Sequence, residues 1–140
     1  LRGNIIECMA NSDNVVRVGL TPKFKDARTL LEIMDTTPQA PTPLDGAPVT
    51  SEDGVIRFIY ATPAAEFEMR RWQLPGGTGT TIEKGEVPAV LLVVEGEVSL
   101  SWAGGQTTYC RGQSAFLPAC LHAYTICAKS DADLFRAAVP

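Results

Sequence analysis

Histidine is nearly missing from this sequence, with His122 the only one among 140 residues. A single imidazole cannot hold a Zn²⁺, which takes three or four N, S or O ligands. His122 is therefore read as a structural or surface residue. The four cysteines, Cys8, Cys110, Cys120 and Cys127, make neither a CxxC pair nor a metal-ligand spacing. In a chain able to build a sizeable core a disulfide framework is not expected, and buried free thiols in a reducing cytoplasm are. Basic residues do not dominate either: 12 Lys and Arg stand against 16 Asp and Glu, a net charge of −4. That balance argues against nucleic acid or an anionic membrane as partner and leaves room for a local basic site that takes a phosphate. Long apolar runs are also absent, since Pro88 to Val94 has only strand length and ends at Glu95, far short of a bilayer span. The sequence opens Leu1-Arg2-Gly3 with no initiator Met and no leader pattern, and enters a strand-like segment at once. Part of a longer chain is the expectation.

What is present divides into three zones: residues 1–35, a connection over 36–54, and residues 55–140. In the first, Asn4 to Ala10 alternates Ile5, Glu7 and Met9 against Ile6, Cys8 and Ala10, the period of a strand. Asn11-Ser12-Asp13-Asn14 is turn-forming because short polar side chains bond their own backbone. Val15 to Leu20 then reads as a second strand, and a hairpin is predicted. Asp26 is expected to cap a helix with Ala27, Leu30, Leu31 and Met34 on one face. From Thr36 to Pro48 the prolines Pro38, Pro41, Pro43 and Pro48, with Asp45-Gly46, break regular structure and predict an extended linker.

The third zone is all-β in pattern. Phe67 to Leu74 sets Phe67, Met69, Arg71 and Gln73 on one face, with Trp72 and Leu74 opposite. Ala89 to Val94 has the continuous apolarity of a fully buried strand. Glu97 to Trp102, Gln106 to Cys110, Ser114 to Leu117, Ala123 to Ala128 and Leu134 to Val139 are further strands. Short strands at this spacing, punctuated by Gly and Pro, predict a sandwich or barrel.

Two stretches of this zone, Val93-Val94-Glu95-Gly96-Glu97-Val98 and Gly112-Gln113-Ser114-Ala115-Phe116-Leu117-Pro118, resemble the two motifs of the cupins, small jelly-roll barrels. In metal-binding cupins the first motif carries a His-x-His pair and a glutamate. Here Pro88 to Leu92 stand before the Glu-Gly turn, so the resemblance implies a barrel without metal.

The first zone is more specific. Ile6-Glu7-Cys8-Met9-Ala10-Asn11-Ser12-Asp13-Asn14-Val15-Val16-Arg17-Val18-Gly19-Leu20-Thr21-Pro22-Lys23-Phe24-Lys25-Asp26 closely resembles the segment that follows the last zinc ligand in type I mannose-6-phosphate isomerases. Those enzymes interconvert mannose 6-phosphate and fructose 6-phosphate through a cis-enediol, with one Zn²⁺, and end in a second, non-catalytic cupin-like barrel. The resemblance implies that the zinc ligands lie upstream of this chain, which holds no metal itself. It also implies that the partners are the sugar phosphate and the N-terminal catalytic part of the same protein, and that this piece alone is inactive.

Arg17 aligns with the arginine that the family uses at its catalytic centre. On a strand over Val15 to Leu20 it shares a face with Val15 and Gly19, where a fixed guanidinium suits an enediolate gaining negative charge. Spacing alone is equally consistent with an ion pair to Glu7 or Asp13 across the hairpin. Glu7 and Asp13 are expected to line the substrate site with acid/base capacity, since the isomerisation moves a proton between adjacent carbons. A solvated strand residue and a turn-forming aspartate are the plain alternatives. Lys23 matches a lysine the family places near the site, where an ammonium suits a phosphate; a solvated loop lysine is its alternative. A different class of reading is a stand-alone degenerate cupin, sugar-binding through Trp72, Arg71 and His122, or purely structural.

Overall fold

The computed structural model describes residues 5–11, 15–40, 42–83 and 87–140. The chain divides into two compact units, Met9–Pro43 on the one hand and Leu44–Pro140 together with Leu1–Cys8 on the other.

The larger unit is a two-sheet antiparallel β-sandwich. Its strands are β1 Ala47–Thr50, β2 Ile56–Tyr60, β3 Glu68–Leu74, β4 Gly79–Ile82, β5 Ala89–Glu95, β6 Glu97–Trp102, β7 Gly105–Cys110, β8 Ser114–Leu117, β9 Tyr124–Ala128 and β10 Ala132–Ala138. Six form one sheet in the order β1-β2-β3-β10-β5-β8, and four form the other in the order β4-β9-β6-β7. The two sheets do not close on each other through hydrogen bonds, so the predicted jelly roll is an open sandwich rather than a closed barrel.

Strand alternation puts one face of each sheet inside. Trp72, Leu74, Leu91, Val93 and Leu134 of the six-stranded sheet meet Val98, Leu100, Tyr124, Ile126 and Ala128 of the four-stranded one in a single core. Leu134, Val98 and Ile126 have no exposed surface at all. Burying each such side chain is worth about 1.5–3 kcal/mol. The run Ala89–Glu95 differs from expectation: Ala89, Leu91 and Val93 are buried, whereas Val90 is 47% exposed. As β5 belongs to an antiparallel sheet with one covered face, its second face meets solvent despite its apolar residues.

The turn from β5 to β6 rests on Gly96, whose φ is +78° and whose absent Cβ would lie 2.1 Å from the Asp131 carbonyl oxygen. Only glycine fits there, for its left-handed backbone and for the close approach of a second strand.

In the smaller unit, the helix α1 Ala27–Ile33 forms as expected. Asp26 caps it, accepting from the Thr29 amide at 2.9 Å and from the Thr29 hydroxyl at 2.7 Å. These bonds hold the Asp26 carboxyl below its ordinary value, the amide of Thr29 contributing most. The predicted hairpin is not observed: residues 5–10 and 15–20 carry no strand, and part of its turn, residues 12–14, lies outside the described residues. The physical reason is an uncovered apolar set. Val18 is 51% exposed and Leu20 wholly so, and an unsupported pair of strands is at best marginally stable in water. Within the stretch expected to be linker, Ala47–Thr50 joins the sheet as an edge strand beside β2. The four thiols are unpaired, and Cys110, Cys120 and Cys127 are exposed instead of buried as expected.

Candidate functional site

The expected site residues are not gathered into one cluster by either unit alone. Arg17 is half-buried and Lys23 exposed in the unit Met9–Pro43, while Glu7 is exposed and belongs to the other unit. Asp13 lies outside the described residues. Around Lys23 the order is local: its amide donates to Thr21 Oγ1 at 3.2 Å, just ahead of the helix cap. The apolar face expected opposite Arg17 is likewise not covered, since Val16 is half-buried and Val18 and Leu20 are exposed.

Trp72, Arg71 and His122 do not share a pocket. Trp72 is 3% exposed in the core. Arg71 points to the opposite face of the sheet, where its Nε donates to Asp133 Oδ1 at 2.8 Å and its guanidinium lies 5.2 Å from the Phe58 ring centre. The Asp133 carboxylate raises the Arg71 pKa further above its already high ordinary value. His122 is exposed in the connection between β8 and β9. Among the described residues no group of three or more His, Cys, Asp or Glu could hold a metal ion. The donor set among the described residues does not fit a zinc centre, and no chemical step through zinc is assigned to it.

The sandwich does contain a polar constellation that the sequence reading passed over. β3 and β10 pair so that Arg70 lies directly opposite Arg136, on the same inward face as Trp72 and Leu134. Two guanidiniums facing each other repel, and Glu68 bridges them. Its Oε2 accepts from Arg70 at 2.8 Å and its Oε1 from Arg136 at 3.0 Å. Arg136, only 4% exposed, also donates from Nε to the Tyr124 hydroxyl of the facing sheet at 3.0 Å. Burial pushes the Tyr124 phenol up, and Arg136 partly offsets this. Arg70 Nε is buried and has no acceptor among the described residues.

Glu68, Arg70 and Arg136 line a cavity of about 570 Å³, whose wall includes Arg57, Thr80 and Thr81 as well as Trp72. The signal was available in the alternation of Glu68-Met69-Arg70-Arg71-Trp72. With Trp72 turned inward, Arg70 and Glu68 must turn inward too.

No family model matches the sequence. Similarity to individual proteins is extensive. Mannose-6-phosphate isomerase 2 of Arabidopsis thaliana is 37% identical over 139 residues, which is 99% of this chain and 31% of that protein. A crystal structure of mannose 6-phosphate isomerase from Salmonella typhimurium, bound to substrate (fructose 6-phosphate) and zinc, superposes with a TM-score of 0.69 at 29% identity. It covers 94% of this chain, and the chain covers 32% of it. An RmlC-like cupin from Shewanella frigidimarina, 18% identical, gives a TM-score of 0.58 over 69% of this chain and 85% of its own, which shows the cupin-like fold alone. The chain thus spans about a third of the length of the isomerases it resembles, and matches their C-terminal portion.

Proposed function

We propose that this chain is the C-terminal part of a zinc-dependent isomerase that interconverts mannose 6-phosphate and fructose 6-phosphate through a cis-enediol. The observation that carries this reading is the 37% identity sustained over 99% of the chain. Residues 1–35 would close off the catalytic region, and the sandwich after the connection would support it.

Arg17 is the residue assigned to chemistry. As the aldose becomes a ketose, negative charge develops on the enediolate oxygens, and a permanently charged guanidinium stabilises it. Glu7 and Asp13 supply carboxylates at the rim of that site for proton movement, and Lys23 supplies a point charge for the phosphate. The zinc ligands are assigned to the portion of the protein that precedes this sequence. The exposed apolar side chains around Arg17, among them Val18, Leu20 and Phe24, support the reading that the N-terminal catalytic part is the surface they meet.

Two measurements test it. The chain by itself should bind no stoichiometric zinc and show no turnover in a coupled mannose 6-phosphate assay; zinc-dependent turnover would overturn the assignment of the ligands upstream. In the intact protein, Arg17→Ala should lower turnover by ~10²–10³ with zinc content near normal. Unchanged turnover would remove Arg17 from the mechanism.

A further inference from the structure

The cavity that β3 and β10 share with the facing sheet is rich in guanidinium groups. Arg70 and Arg136 divide a single carboxylate, Glu68, between them. A third guanidinium, Arg57, lines the same space, and among the described residues Glu83 and Pro140 line it as well. Among the described residues, three guanidinium groups and the carboxylates of Glu68 and Glu83 thus stand around a cavity of about 570 Å³.

Hydrogen bonding within this cluster is incomplete. The Tyr124 hydroxyl serves Arg136, and Glu68 serves both arginines, yet Arg70 Nε is buried with no acceptor among the described residues. A buried donor without an acceptor costs ~1–3 kcal/mol, and a guanidinium costs more than a neutral group.

We propose that this cavity binds an oxyanion, the phosphate or carboxylate of a small metabolite, through Arg57 and Arg70, with Arg136 and Glu68 holding the Arg70 guanidinium in place. Thr80 and Thr81 line the same wall and offer hydroxyl donors to the remaining oxygens. A guanidinium fork is suited to either oxyanion because its donors match two oxygens at once. The site consists entirely of sandwich residues, so the proposal stands independently of the isomerase reading.

Thermal unfolding of the 140-residue chain at fixed ionic strength, in chloride, acetate and inorganic phosphate, tests it. A ligand that binds only the folded state raises the midpoint with concentration. The midpoint should rise in phosphate relative to chloride if the metabolite is phosphorylated, and in acetate if it is a carboxylate. Equal midpoints in all three salts would overturn the proposal.

Arg57→Gln, at an exposed position, and Arg70→Gln should each weaken the anion effect by roughly tenfold, the loss of one charge-assisted hydrogen bond. An anion-specific rise that persists undiminished in Arg57→Gln would equally overturn it. Arg57→Gln carries the test if Arg70→Gln fails to fold. Quenching of tryptophan fluorescence by the same anion, lost in Arg57→Gln, separates binding at the Trp72 wall from a general salt effect.

Discussion

The two units of this chain treat their apolar residues in opposite ways. In the sandwich, leucines and valines of two sheets close on one another until Leu134, Val98 and Ile126 are wholly removed from solvent. In Met9–Pro43, the helix α1 buries none of its residues, and Leu20, Phe24 and Leu31 stand open. The composition of the two stretches differs little in kind. What differs is whether a second layer is available, and a helix or strand whose apolar side has no second layer draws little stability from it. The sandwich supplies its own second layer; the smaller unit does not.

The sharpest way to break that comparison is a pair of truncations. Leu134→Ala should destabilise the sandwich by about 2–5 kcal/mol, whereas Leu20→Ala should stay within about 0.5 kcal/mol in the isolated chain; chemical denaturation reads both. Similar losses would mean that Leu20 is covered in solution.

A smaller effect probes the polar part of the sandwich. Tyr124→Phe removes the acceptor for Arg136 Nε and should cost about 1 kcal/mol. It should also alter the alkaline limb of stability. Burial raises the phenol's pKa in the folded state, so as pH rises through the ordinary tyrosine value of 10.0 the unfolded chain loses a proton that the folded one keeps. The contribution of Tyr124 is therefore whole below that pH and is lost above it. In Tyr124→Phe this part of the decline should vanish from midpoints measured between neutral and alkaline pH.

The smallest effect belongs to the other unit. Asp26→Ala should speed hydrogen exchange at the Thr29 amide while leaving the unfolding midpoint of the sandwich unmoved. In the unaltered chain the same cap should weaken as pH falls through the ordinary aspartate value of 3.8 and below, because Asp26 is held ionised by Thr29 in the folded state.

How much of this was legible depended on whether a residue's partners were near in sequence. β3 and β5 to β10 follow from alternation and turn residues, and the helix follows from its cap. β1, β2 and β4 escaped because runs of only four or five residues carry little period. The hairpin over Asn4 to Leu20 had the right alternation but nothing to bury its face. For Arg17 and Lys23 the sequence offered a resemblance and a plausible chemistry, while the other walls of such a site are assigned to residues this chain does not contain. The arginine pair was hidden for the opposite reason: Arg136 and Glu68 stand 68 residues apart and meet only through the register of β10 on β3.

That register has a consequence for how the protein is made. β10, last in order along the chain, occupies the middle of the six-stranded sheet, between β3 and β5. As the chain is synthesised, β1 to β3 and β5 to β8 can form their hairpins early. Their inner edges stay unpaired until residue 138 has left the ribosome, several seconds after β5 at ~5–20 residues per second. Through that interval two open strand edges, that of β5 flanked by apolar side chains, are the surfaces most able to pair with another chain. The closing of this sheet is thus a late, long-range event of the slow kind, and folding of the sandwich cannot run ahead of translation.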